Sequence, residues 1–187
     1  MKVLVIFDHP RRQSFTGAVL DAFLEGLAEA GHEAEVADLY AEGFDPRMPL
    51  ADEPDWDYDD KVYSEAVLAE QARIARNDAI TFVFPVWWWS VPAMTKGWID
   101  RVWNNGWAYG ARKLPHQKAL MIGIAANSAE GYRERGDLAA MRSQLLVGVL
   151  NYCGILDADL RLFYDALETD EIRAVRIEEA RRLGRDF

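Results

Sequence analysis

The sequence predicts an α/β protein: a single domain over residues 1–187, with a doubly wound, five-stranded parallel sheet and helices on both faces. Two observations predict it. Apolar, β-branched runs of strand length alternate with amphipathic stretches of helix length, and parallel neighbours require crossovers of that size. No linker, repeat or low-complexity tract divides the chain, whose length suits one hydrophobic core.

KVLVIF (2–7) is apolar throughout after Lys2, as a strand buried on both faces must be. The polar turn DHPRRQS follows. Ser14 is placed to cap a helix in which Phe15, Val19, Phe23 and Leu27 recur every fourth residue beside Leu20 and Leu24, until Gly31 stops it. EAEVADLY (33–40) alternates, which predicts a more exposed strand. Residues 41–60 read as loop, rich in Pro, Asp and Glu; its acidic run ADEPDWDYDD (51–60) is either simply solvated or folds Trp56 or Tyr58 over the site of a partner subunit. A helical pattern runs from about Ser64 to Arg76, and AITFVF (79–84) has the look of a central strand. After PVWWWSV, Pro92 starts a helix that buries Met94, Trp98, Ile99, Val102 and Trp103. KALMIGIA (118–125) is the fourth strand, NSAEGYRERG a loop, and residues 137–153 a helix with Leu138, Met141, Leu145 and Val149 on one face. ILDADLRLFY supplies the fifth strand, and residues 168–185 the last helix. With the first, third and fourth strands central, the order is 2-1-3-4-5. A ligand then belongs beyond the carboxyl ends of the strands, where that order reverses.

Composition removes several functions. With 21 Lys and Arg against 31 Asp and Glu, the net charge is -10, and no basic stripe is present to hold a phosphate backbone, so nucleic acid is not an expected partner. Cys153 is the sole cysteine and His9, His32 and His116 are scattered, so neither a disulfide nor a metal site is expected and a reducing cytoplasm is the natural location. MKVLVIF is too short and too soon followed by Asp8 to be a signal peptide, and the uncharged stretch 79–95 is broken by Pro85 and Pro92, so membrane insertion is not expected either. One figure stands out: seven tryptophans, three of them consecutive at Trp87, Trp88 and Trp89.

Three loops meet at the predicted ligand position. The first, Asp8 to Phe15, leads into a helix N-terminus that favours an anion, with Arg11, Arg12, Ser14 and Thr16 as further donors; alternatively Ser14 only caps and the arginines are solvated. Neither GxxxxGK[ST] nor GxGxxG is present, which argues against a P-loop and a Rossmann dinucleotide site. In the second, Pro85 to Trp89, the tryptophans either pack into the core or wall a slot for a planar heterocycle; consecutive loop residues point in different directions, so at least one is expected in the cleft. The third, Ala125 to Tyr132, is made of small residues that let backbone approach a ligand, or is an ordinary strand-to-helix turn.

PVWWWSVPAMTKGWIDRVWNNGWAYG resembles the central signature of the flavin-dependent NAD(P)H:quinone reductases, the DT-diaphorase-like group. His9 to Phe15 is similar to that family's H-x-x-x-x-S-F loop, DLY (38–40) with FDP (44–46) to its DLY-x-x-x-F-[ND]-P, and Ala69, Glu70 and Gln71 to its AEQ. The similarity reaches to about residue 155. It implies a flavodoxin-like fold and a two-step hydride relay from NAD(P)H through flavin to a quinone. It implies that His9, Ser14, Phe15 and Thr16 hold the flavin phosphates, with Gln71 near the adenosine end of FAD. Pro85, Val86, Trp87, Trp88 and Trp89 would line the ring, with Ala125, Ala126, Asn127, Ser128 and Tyr132 at its polar edge. Ala108, Tyr109 and Gly110 would form a substrate pocket completed by the second subunit of a homodimer, and Asp100 occupies a family acidic position or a helix-surface ion pair.

The chain also departs from the family. AANS stands where the family has TTGG, and Arg133, Glu134 and Arg135 follow Tyr132 where mammalian members place a histidine a few residues on. Tyr132 is therefore the catalytic proton-donor candidate, with FAD as the cofactor and FMN the alternative. Two other roles fit the same fold: an ancillary flavoprotein docked on a potassium-efflux transporter, and a flavodoxin-like electron carrier.

Overall fold

The computed structural model describes residues 1–58 and 61–187; Asp59 and Asp60, at the end of the acidic run, lie outside the described residues. Five parallel strands, β1 (Lys2–Phe7), β2 (Glu33–Asp38), β3 (Ala79–Pro85), β4 (Lys118–Ile124) and β5 (Asp157–Phe163), form one sheet in the order β2-β1-β3-β4-β5. Strand β3 is buried at every residue and β2 only at Ala37, as continuous and alternating sequence patterns respectively dictate.

Helices α1 (Phe15–Glu29) and α6 (Asp170–Arg185) cover one face of the sheet, where Val19, Leu20, Phe23 and Leu27 pack on Val3, Val5, Phe7 and Val83. The two helices approach so closely that a Cβ on Gly26 would lie 2.0 Å from the Arg181 carbonyl oxygen, and one on Gly184 2.2 Å from that of Phe23. Helices α2 (Glu65–Ala75) and α3 (Ala93–Val102) cover the other face with the segment that follows β4. Trp98 is fully buried there, edge-on to Phe82 at 6.1 Å, and its indole N–H donates to Glu70 at 2.8 Å. Burial of side chains of this size, worth about 1.5–3 kcal/mol each, fixes the helices to the sheet.

Three stretches differ from the sequence-based expectation. The loop 127–136 contains a short helix, α4 (Ala129–Glu134), because Ser128 Oγ accepts the Gly131 N–H at 3.2 Å and starts a turn there. The helix expected over 137–153 is α5 (Asp137–Met141), which continues as a wider π-helical run over Arg142–Asn151, with Tyr152 N–H reaching back to the Val147 carbonyl at 3.2 Å. The acidic run is not wholly solvated. Asp52 is fully buried and paired with Arg101 at 2.7 Å, and it accepts the Ser64 N–H and hydroxyl, both at 3.0 Å. Burial pushes its pKa up, but the bonds from Arg101 and Ser64 outweigh that and hold the carboxylate below its ordinary value. Arg101 also donates to the Asp45 carbonyl, so residues 45–58 form a strap pinned to α3 at Asp45 and Asp52.

Candidate active site

The carboxyl ends of β1, β3, β4 and β5 surround a cleft of about 260 Å³. His9, Arg11, Ser14, Phe15 and Thr16 line it from the first loop, Pro85, Val86 and Trp87 from the second, and Ile124, Ala126, Ala166 and Leu167 from the ends of β4 and β5.

Its polar end is built by the start of α1. Ser14 caps that helix, its Oγ accepting the Gly17 N–H at 3.1 Å. The N–H groups of Phe15 and Thr16 open the first turn, where no intrahelical acceptor exists, and Thr16 is buried in the cleft wall. Only glycine fits at position 17, because a Cβ there would lie 1.9 Å from the Arg12 carbonyl oxygen. Arg12 is turned away: it pairs with Asp21, donates to the Gly17 carbonyl at 3.2 Å and stacks over Phe7. Arg11 is exposed at the cleft instead. Its N–H donates to His9 Nδ1 at 3.0 Å, and burial lowers the His9 pKa, so neutral His9 carries its proton on Nε2 and is a donor there.

The second loop is a tight turn. Val86 N–H bonds the Ile124 carbonyl at 2.8 Å, and Trp87 and Ser90 exchange N–H···O bonds of 3.3 and 3.2 Å. The residues between them, Trp88 and Trp89, both have left-handed backbones, with φ of 52° and 54°. That is the pattern of a type I′ turn, usually made with Asn and Gly; for other residues the left-handed region costs about 1–2 kcal/mol each. Little in the turn itself repays that strain, since Trp88 is 89% exposed. Strain held by non-glycine residues next to a cleft points to function.

A smaller groove of about 120 Å³ continues from the cleft between Val86, Trp88, Trp89, Ala126, Asn127 and Tyr132. Tyr132 is buried against Tyr164, ring centroids 5.3 Å apart, and burial raises its pKa, so the phenol keeps its proton at neutral pH. The Arg135 guanidinium sits over the Trp89 ring at 5.2 Å. Arg133 is surface-exposed and leans on Glu130 instead.

The remaining sequence candidates divide. Ser128 caps α4, and Ala125 is buried as a joint, donating to Phe163 at 2.9 Å and accepting from Ala166 at 3.1 Å. Gln71 is not brought to the cleft; it is buried on α2, its Nε2 donating to the Val102 carbonyl at 3.0 Å. Ala108 is buried and Gly110 makes a turn at φ 79°. Tyr109 faces a separate apolar hollow of about 390 Å³ with Met48, Trp56, Trp103 and Tyr152. Asp100 lies at that hollow's rim in an ion pair with Lys96 at 2.6 Å. The hollow is the larger cavity, yet it lies off the sheet's switch point and presents few donors. Sequence reasoning missed Ile124, Ala166 and Leu167, although the strand order alone brings the end of β5 to the edge of the site.

Comparison with known proteins decides the family. A family model described as flavodoxin-like fold matches residues 1–185. The chain belongs to the flavodoxin-like family. It is 36% identical over 170 residues to the uncharacterized NAD(P)H oxidoreductase YcaK of Escherichia coli, covering 90% of this chain and 86% of that one. With ribosyldihydronicotinamide dehydrogenase [quinone] of Mus musculus it shares 29% over 208 residues, 97% of this chain and 90% of the relative. Among solved structures it is similar to the NAD(P)H:quinone oxidoreductase from Methanothermobacter marburgensis, with a TM-score of 0.95 and 35% identity over 100% of this chain and 95% of that chain.

Proposed function

We propose that this chain is an NAD(P)H:quinone oxidoreductase whose flavin is held in the switch-point cleft. The observation that carries the reading is the convergence of three elements on one cavity: the capped start of α1, the strained tryptophan turn, and the small-residue loop after β4. Relatives named as an NAD(P)H oxidoreductase, a quinone-linked dehydrogenase and an NAD(P)H:quinone oxidoreductase match the chain over most of their length.

The donor set fits a flavin. Arg11, the His9 Nε2–H, Thr16 and the free N–H groups of the first helical turn suit a phosphate, and Pro85, Val86 and Trp87 supply an apolar wall for a ring. When bound, a flavin accepts hydride from NAD(P)H and passes two electrons to a quinone-like acceptor that takes the donor's place. The chain's own contribution is position, exclusion of water and a held proton. Tyr132 keeps its phenolic proton in the smaller groove, where negative charge at a ring's polar edge would be met by a donor. Gln71, which suggested FAD, is committed to Val102, so we place FMN ahead of FAD.

The apolar hollow suits a second copy of the chain. Trp56 and Tyr152, 72% and 58% exposed, flank Tyr109 there, and a homodimer through this face would bring Tyr109 to its partner's site. The decisive experiment is anaerobic: load the protein with flavin, identify the bound flavin by mass, and follow oxidation of NADH and NADPH with a benzoquinone. Parallel-line kinetics support the reading. A protein that binds no flavin, or binds it without turnover, overturns it.

A further inference from the structure

Helix α3 begins without a cap of its own. Pro92 occupies the capping position and offers no side-chain acceptor, so the first-turn N–H groups need one from elsewhere. Asp8 supplies it from the end of β1. Its Oδ2 accepts both the Thr95 N–H, at 2.8 Å, and the Thr95 hydroxyl, at 2.5 Å. The carboxylate is fully buried, and its other oxygen, Oδ1, has no hydrogen-bond partner among the described residues. Its backbone is fixed as well, since Asp8 N–H donates to the Val83 carbonyl at 3.1 Å.

This contact spans the cleft's two walls. His9 follows Asp8 directly and begins the loop that lines the polar end, whereas Thr95 lies in the first turn of the helix that follows the tryptophan turn. That turn is strained at Trp88 and Trp89, and its near end is held by the Val86 bond to Ile124. Its far end runs through Ser90 and Val91 straight into the helix start that Asp8 caps. A strained conformation persists only where its surroundings over-determine it. A buried carboxylate with an unpartnered oxygen is a costly cap, and a helix start of purely structural importance would be served by a Ser or Asp in place of Pro92.

We infer that Asp8 is a positioning residue for cofactor binding: by capping α3 across the chain it holds the strained tryptophan turn at a fixed separation from the His9 loop. The inference rests on the proposed flavin site and adds a residue that does not itself line it. Asp38 on β2, His9 beside it and Tyr40 in the following turn are the titratable groups that act on Asp8 electrostatically.

The test compares Asp8→Ala, Asp8→Asn and Thr95→Val with the wild type, reading the FMN and FAD dissociation constants by fluorescence titration and the near-ultraviolet circular dichroism of the flavin-free protein. Asp8→Ala is expected to weaken flavin binding about 10- to 100-fold, the scale of losing hydrogen bonds to a charged group. It is also expected to change the tryptophan dichroism. Asp8→Asn, whose amide oxygen still accepts the Thr95 N–H, should recover most of the affinity and the wild-type spectrum. Thr95→Val, which removes only the hydroxyl bond, should fall between and serves if Asp8→Ala does not fold. Variants that lose thermal stability while flavin affinity and dichroism stay unchanged would overturn the inference and leave Asp8 a structural cap. A wild type that takes up no flavin would instead sink the proposed function, while the dichroism of the same variants still reports whether Asp8 holds the turn.

Discussion

Two of the molecule's cavities contrast in construction. The hollow beside the strap is the larger, about 390 Å³ against about 260 Å³, and is walled by Met48, Trp56, Trp103, Tyr109 and Tyr152. The switch-point cleft is smaller but is edged by a helix start, a neutral imidazole donor, an exposed arginine and a strained turn. Apolar volume alone suits a surface that another copy covers. Directed donors together with stored backbone strain suit a ligand that must be oriented. The two regions meet along α3, whose first turn is tied to Asp8 at the cleft and whose Ile99, Asp100 and following Trp103 face the hollow.

Substitutions on either side should separate the two roles. The largest expected effect is at the cleft's extension: Tyr132→Phe is expected to slow flavin reduction by NAD(P)H about 10²- to 10⁴-fold in stopped-flow traces, the scale of a positioned proton donor, without altering oligomeric state. Gly17→Ala forces the first loop off the helix and is expected to weaken flavin binding by about 10- to 100-fold, the scale of losing hydrogen bonds to a charged group, again without altering oligomeric state. Tyr152→Asp reverses the pattern: sedimentation should show the proposed dimer weakened by about 30-fold or more, the loss typical of a central interface aromatic.

Two smaller effects concern strain and charge at the cleft. Trp88→Gly relieves a left-handed backbone at φ 52° and is expected to stabilise the flavin-free protein by up to about 1 kcal/mol in urea unfolding, while weakening flavin binding. Asp8 is the group to follow with pH. Burial raises its folded pKa above the ordinary 3.8, so the folded state holds the proton longer than the unfolded one. Stability should therefore fall as pH rises from about 4 through the raised value, and Asp8→Asn should remove that decline. A parallel decline in both proteins would show that the fall does not come from Asp8.

The sheet and its order were legible because the central strands are buried on both faces and must be almost wholly apolar; β1 after Lys2 and β3 apart from Thr81 carry no polar residue to mistake for an exposed face. The first loop and the tryptophans were legible because residue type carries their chemistry. Other features left no such mark. Ala166 and Leu167 line the cleft by position, not by reactivity, and Gln71 has the composition of a ligand contact but is consumed by the Val102 carbonyl. The Asp52–Arg101 pair and the Asp8–Thr95 cap join residues 49 and 87 positions apart, which no local pattern encodes. The wide helical turns over 142–151 were hidden because Leu138, Met141, Leu145 and Val149 recur every three or four residues, a spacing that reads as an ordinary α-helix.

A crystal structure of the flavin-loaded protein tests the division between the two cavities most directly. Flavin density bounded by Ser14, Thr16, Pro85 and Ala126 is the result expected. Flavin seated between Trp56 and Tyr152 in the apolar hollow would contradict the account.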